Sequence, residues 1–360
     1  MSTVIEDFNT IVSAFQIEGE LLTAKPFGNG HINDTILSEF KTGTGIVHYI
    51  HQKINTSVFP QPEQVIENIA LVTAWIREKL VQANADDIDR KTLTLIPARD
   101  GSLFYKSSRQ GFWRTYSFIE ESRCIEKIET ANQAFVLGAA VGNFQKMLAD
   151  YNKKPLHTTI KDFHNMRFRY HQLETAIRRD PAGRASSVQK EIAFLLARKN
   201  AMMVLTNALE KGLVPERIIH NDTKLNNLLF DAKTGAVLCL IDLDTVMPGT
   251  VLFDTGDMIR TACTTAEEDA PEDTVAFNTE FYAALIEGYV SSASSFLTEY
   301  EKSLIPVSGK VLTTIMAVRF LTDYLNGDVY YRITRPQHNL DRSRNQIALL
   351  KCMEKIIPDF

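Results

Sequence analysis

His220, Asp222 and Asn227 fall in the order H-x-D-x-x-x-x-N within I-I-H-N-D-T-K-L-N-N-L-L-F-D, and the apolar run that follows ends on Asp242. A carboxylate, an amide and a second carboxylate at this spacing are what phosphoryl transfer from a nucleotide requires. One carboxylate must stand beside the attacking hydroxyl. The other, with an amide oxygen, must hold the magnesium ions that bridge the phosphates. Mg2+ takes oxygen ligands, usually one or two carboxylates together with substrate phosphates, which suits Asn227 and Asp242 as ligands and leaves Asp222 as the base.

The same stretch supplies its own scaffold. Residues 228–230 read as a strand, D-A-K-T-G at 231–235 as a turn and 236–241 as a return strand, so a β-hairpin is expected to carry Asp242 back beside Asn227. Each residue alone has an ordinary reading, because Asp and Asn are common turn formers. The full set, correctly spaced and bracketed by apolar runs, favours the catalytic reading. His220 is the exception, since a buried imidazole that hydrogen-bonds the loop backbone is expected of it.

The chain changes character near residue 119. Before it lie short strand-like runs with turn punctuation, at 21–27, 32–40, 46–53, 92–96, 103–105 and 112–118, interrupted by one helix over about 63–82. After it, apolar residues recur at three- and four-residue spacing over 131–148, 167–179, 187–211, 275–290, 308–325 and 340–356. The expectation is an α+β chain of two domains. A small β-rich nucleotide-binding lobe spans 1–119, and a large α-helical lobe with the catalytic loop and substrate site spans 120–360.

Composition accords with a soluble enzyme. The 360 residues, 44% hydrophobic, are enough to bury a core in each domain. With 39 basic and 44 acidic residues the net charge is −5, which gives no global electrostatic case for a nucleic acid or a membrane surface. Cys124, Cys239, Cys263 and Cys352 are scattered and read as reduced thiols. The start, M-S-T-V-I-E-D-F-N, lacks the basic and apolar regions of a signal peptide, and no apolar run approaches the ~18 residues needed to span a bilayer. The expected location is the cytoplasm; the sequence leaves the oligomeric state open.

H-N-D-T-K-L-N-N, I-D-L-D-T and P-G-T-V-L-F-D resemble the aminoglycoside phosphotransferase branch of the protein-kinase-like superfamily, whose members phosphorylate small molecules. F-G-N-G-H-I-N-D-T at 27–35, N-T-S-V-F-P at 55–60, the 218–260 block and R-F-L-T-D-Y-L-N-G-D-V-Y at 319–330 are similar to the N-acetylhexosamine 1-kinases within that branch. The resemblance covers nearly the whole chain. It implies a bilobal protein-kinase-like fold, ATP and Mg2+ as cofactors, and a small-molecule sugar phosphorylated at its anomeric hydroxyl. Two alternatives stay open: another small-molecule kinase of the choline, homoserine or aminoglycoside type, and a nucleotide-binding pseudokinase without turnover.

Within this frame Gly28, Asn29 and Gly30 lie between two predicted strands, where a permissive backbone could bend over phosphates or simply form a hairpin turn. The resemblance brings His31 close to substrate. The usual phosphate-pairing lysine of the third strand is ambiguous, because alternation turns Gln52 inward and Lys53 outward. Lys53 is retained as a phosphate contact against the reading of a solvated strand-end lysine, with the glycine loop or His51 as compensation. Glu63 and Glu67 are candidate helix partners for it. Backbone atoms near Phe118, Ile119 and Glu120 are expected to read adenine. Asp244 shares a face with Asp242 and leans toward substrate. The resemblance assigns Asp254 to bracing the catalytic loop, and Arg319 and Tyr330 to the sugar.

Overall fold

The computed structural model describes residues 2–28 and 32–358. Along the chain the first elements are α1 (Ser2–Ser13), β1 (Glu20–Pro26), β2 (Asp34–Thr42), β3 (Gly45–Lys53), α2 (Pro62–Gln82), α3 (Ile88–Lys91), β4 (Tyr105–Ser107), β5 (Gly111–Ser117) and β6 (Ser122–Cys124). There follow α4 (Ala131–Leu148), α5 (Met166–Arg179), α6 (Gln189–Met202), α7 (Val204–Glu210), β7 (Arg217–Ile219), β8 (Leu228–Asp231), β9 (Val237–Leu240) and β10 (Met247–Gly249). The chain closes with α8 (Val251–Ala262), α9 (Thr279–Ala293), α10 (Glu299–Leu325) and α11 (His338–Glu354).

These elements form two compact units. The first comprises Met1–Arg123 with two returns of the chain, Tyr151–Ile160 and Leu229–Met247. Its main sheet has the order β1-β2-β3-β5-β4, with antiparallel neighbours. One face is covered by α1, whose Phe8, Ile11 and Val12 recur at helical spacing and pack with Phe15, just beyond the helix, and with Phe40 and Trp113. The strand expected at 92–96 is a correction. Its backbone runs beside β5 through Ile96 N to Thr115 O (2.8 Å) and Ser117 N to Thr94 O (3.0 Å), and Pro97, with no N–H to give, ends it as an isolated bridge.

The second unit comprises Cys124–Asp150, Lys161–Leu228 and Pro248–Phe360. Here α4 packs on α9, and α10 packs on α5, α8 and α11. The single helix expected over 187–211 is broken at Met203, whose amide reaches back to Asn200 O, so α6 and α7 are separate. The helix at 251–262 is not marked by apolar spacing in the sequence. Ten of the 12 residues of α8 are buried, so it lacks the polar face that makes a helix legible. The expectation that no segment reaches bilayer-spanning length also needs correction. Among the described residues Ala185–Glu210 and Glu299–Leu325 are long and apolar enough, and the second has 89% of its most apolar window buried within the protein.

Candidate active site

Asp222 sits in the loop between β7 and β8, in the second unit. The loop turns through Asn221, whose φ of 68° is left-handed, a conformation that costs a non-glycine residue roughly 1–2 kcal/mol and so must be held by its surroundings. Asp254, in the first turn of α8 and fully buried, does this. Its Oδ2 accepts from the His220 amide (3.0 Å) and its Oδ1 from the Asn221 amide (2.6 Å), while Gln145 Nε2 donates to Oδ2 (2.8 Å). Thr223 adds two more links to α8: its amide donates to Asp257 Oδ2 (3.0 Å) and its hydroxyl to Asp254 O (2.7 Å). His220 is fully buried and accepts the Asp222 amide at Nδ1 (3.3 Å), the backbone role expected of it.

The Asp222 carboxylate is partly open, 29% exposed, and its Oδ2 accepts from Asn227 Nδ2 (2.9 Å) and lies 3.1 Å from Lys224 Nζ. Desolvation alone would raise its pKa. The Lys224 ammonium, the His220 ring and the hydrogen bonds from Lys224 and Asn227 outweigh that effect and hold it below the usual carboxylate value. Asp222 is therefore ionised at neutral pH. Asn227 commits its Nδ2 to Asp222, which leaves the amide oxygen as the end able to take a cation. Sequence reasoning passed over Lys224, although its position two residues after the base was a visible signal.

A second set of residues belongs to the first unit. Asp242 follows β9 in a left-handed conformation (φ 59°) and is exposed, while Asp244 is 3% exposed. Asp244 Oδ2 accepts from Asn33 Nδ2 (2.7 Å), and its Oδ1 lies 2.5 Å from Arg114 Nη2, a guanidinium only 1% exposed. Gln52 does turn inward, where its Oε1 accepts from Arg114 Nε (3.0 Å) and Nη2 (2.7 Å). Lys53 points elsewhere: its stem lies over Gly111, and it makes no hydrogen bond or ion pair among the described residues. Glu63 pairs with Lys106 (3.1 Å), and Glu67 pairs with Lys154 and His157. His51 brings no charge. It is wholly buried against Ser38 and Thr115, and desolvation pushes its pKa down to about 3. Arg114 is thus the cation buried beside the usual lysine position.

The Phe118 amide is spent on His48 O (3.1 Å) and the Glu120 carbonyl accepts from Arg90 Nε (3.2 Å), whereas the Ile119 and Glu120 amides make no hydrogen bond among the described residues. Gly28 is left-handed (φ 74°) with open space around it; Asn29, Gly30 and His31 lie outside the described residues.

In the second unit Arg319 is ringed by aromatics, with its guanidinium 5.2 Å from the Phe163 ring, 5.8 Å from Tyr330 and 5.4 Å from Tyr331. Arg319 makes no ion pair among the described residues. Asp323, which the sequence places one turn further along the helix, does not pair with it. Its carboxylate instead accepts the Val329, Tyr330 and Tyr331 amides (3.0, 2.8 and 2.9 Å) and so fixes the loop that carries Tyr330. Arg169 lies near enough that burial and the Arg319 charge lower its pKa to about 10. The adjacent His164 is lowered to about 3 by burial and the same arginines, and its Nε2 donates to Asn221 O (3.4 Å) beside the base.

Across residues 23–293 the sequence matches the model of the phosphotransferase enzyme family (APH). The chain belongs to that family. Its fold is that of the kinase-like members in solved structures. A microcompartment-associated aminopropanol kinase superposes with TM-score 0.66 at 14% identity, covering 99% of this chain and 97% of that chain. Spectinomycin phosphotransferase, solved with ADP and spectinomycin, gives 0.58 at 12% identity with 99% and 98% covered. Choline kinase from Streptococcus pneumoniae gives 0.57 at 14% identity with 98% and 99% covered. This phosphotransferase therefore has the expected α+β, kinase-like fold.

Proposed function

We propose that this phosphotransferase moves the γ-phosphate of ATP to the anomeric hydroxyl of an N-acetylhexosamine, of gluco or galacto configuration, to give the sugar 1-phosphate. The observation that carries the choice of acceptor is the Arg319 guanidinium, faced by three aromatic rings and free of ion pairs among the described residues. A cationic amine, such as the acceptors named for the aminopropanol and choline kinases, is repelled by Arg319 and Arg169. An uncharged polyhydroxy ring instead accepts hydrogen bonds from guanidinium and rests its apolar face on a ring. The similarity of the 27–35, 55–60 and 319–330 motifs to the N-acetylhexosamine 1-kinases supports the same reading.

Asp222, ionised, accepts the proton of the anomeric hydroxyl while that oxygen bonds to the γ-phosphorus. The bond from phosphorus to the bridging oxygen breaks, and ADP leaves. Lys224 keeps Asp222 ionised. Asn227 and Asp242 would be the residues to hold Mg2+, which would supply charge neutralisation to the phosphates. The donors fit that ion, both being oxygens. Among the described residues no group of three or more His, Cys, Asp or Glu forms a dedicated metal cage. The Ile119 and Glu120 amides serve as backbone donors to adenine. Because the transition state is loose, most of the gain comes from positioning and charge neutralisation. Four cysteines free of disulfides accord with a cytoplasmic setting.

The test is transfer of labelled γ-phosphate across N-acetylglucosamine, N-acetylgalactosamine, choline, ethanolamine, aminopropanol and homoserine. Turnover is expected with the two sugars. Turnover of an amine with none of either sugar would contradict the assignment, and ATP binding without consumption in the presence of every acceptor would favour a nucleotide-binding pseudokinase.

A further inference from the structure

Arg114 on β5 pairs in register with Gln52 on β3, and Thr35 on β2 stands opposite Gln52, so three neighbouring strands bring their polar side chains into one row. Gln52 receives two hydrogen bonds from the Arg114 guanidinium and passes one from its own Nε2 to Thr35 Oγ1 (3.2 Å). Beyond Gln52 the guanidinium meets Asp244 Oδ1, while Asp244 Oδ2 is taken by Asn33. Asn33 is itself fixed, since its Oδ1 accepts the Asn55 amide (3.0 Å). The Tyr116 ring lies 5.2 Å from the guanidinium carbon and completes the enclosure.

A buried ion pair contributes little net stability, because the cost of desolvating two charges offsets their attraction. What such a pair supplies is geometry. Here the anchored residue is the second member of the three-residue turn Leu243–Thr245, and the residue before that turn is Asp242, which is held in a left-handed conformation. With 1% of its surface exposed, Arg114 has no direct access to a ligand and acts through the protein, chiefly through its ion pair with Asp244.

We propose that Arg114 is a positioning residue for the metal-binding carboxylate: by holding Asp244 it fixes the turn on which Asp242 stands. The charge that related sites place on the third strand is here moved to the fifth and acts through the protein instead of on the nucleotide. Gln52 and Asn33 keep the guanidinium and the carboxylate in register. Lysine cannot replace Arg114, because its single nitrogen lacks the fork that reaches Gln52 and Asp244 together. This proposal rests on the reading of Asp242 as a magnesium ligand.

The experiment is binding of a fluorescent ATP analogue, titrated with Mg2+, to the full chain and to D242A, R114K, R114M, D244N, N33A and R114M/D244N. D242A is expected to lose the Mg2+-dependent gain in affinity. R114K and D244N should raise the half-saturating Mg2+ concentration roughly tenfold, the usual consequence of losing a residue that orients a ligand, with metal-free nucleotide affinity unchanged. The double variant should be no worse than either single one, because both break the same link. If R114M does not fold, R114K and N33A, which each keep a buried charge pair or most of its bonds, carry the test. Wild-type Mg2+ half-saturation in R114K and D244N, with D242A impaired, would overturn the role of Arg114 and leave the metal reading standing. Mg2+-dependent binding by D242A equal to that of the wild type would sink both.

Discussion

At the residue scale the chemistry depends on what keeps Asp222 ionised. Replacing it by Asn removes the proton acceptor but keeps the shape, so D222N is expected to bind nucleotide normally and to lose ~10²-fold or more in kcat. Near-wild-type turnover of a folded D222N would take this residue out of the mechanism. Lys224 gives a second test. A carboxylate whose folded pKa is depressed works above that pKa and fails as pH falls through it, so removing the cation should bring the failure to higher pH. In K224M the acid limb of the kcat/KM profile is expected to move upward, and an unmoved limb would show that the ammonium at 3.1 Å does not tune the base. His220, Asp222 and Asn227 were legible in the sequence because one loop holds them all. The Arg114, Asp244 and Asn33 contacts were not, because they join residues far apart in the chain and follow no local period.

At the scale of elements, α8 is the brace of the catalytic loop. Four hydrogen bonds from residues 220–223 end on Asp254 and Asp257, and Gln145 of α4 steadies Asp254 in turn. Truncating Asp254 to Ala strands two buried backbone donors, each worth ~1–3 kcal/mol when left unsatisfied. D254A is expected to lower the urea midpoint and to speed hydrogen exchange at the His220 and Asn221 amides. Wild-type protection at those two amides would show that the loop holds itself. Helices α2 and α4 were readable because their buried residues recur at three- and four-residue spacing, and the strands of the main sheet because turn residues punctuate short apolar runs. Elsewhere these signals fail: α8 is buried nearly all round, and the helix expected over 187–211 breaks at Met203 without a proline or glycine to mark the break.

At the scale of the whole molecule the question is which acceptor a kinase-like chain of this family takes. Arg319 is proposed to hold sugar hydroxyls in both ground and transition states, so R319A should raise the sugar KM severalfold and leave kcat largely intact. A fall in kcat at unchanged KM would move Arg319 from binding to chemistry. The family was legible from the catalytic motif, whereas the acceptor was suggested by motif likeness and is proposed on the charge of Arg319, which makes no ion pair among the described residues. The most direct measurement is phosphorus NMR of the products formed from N-acetylglucosamine and N-acetylgalactosamine, run beside their methyl glycosides, whose capped anomeric oxygen has no proton to give Asp222. The account predicts a sugar 1-phosphate from each free sugar and no product from either glycoside; a 6-phosphate, or good turnover of the glycosides, would contradict it.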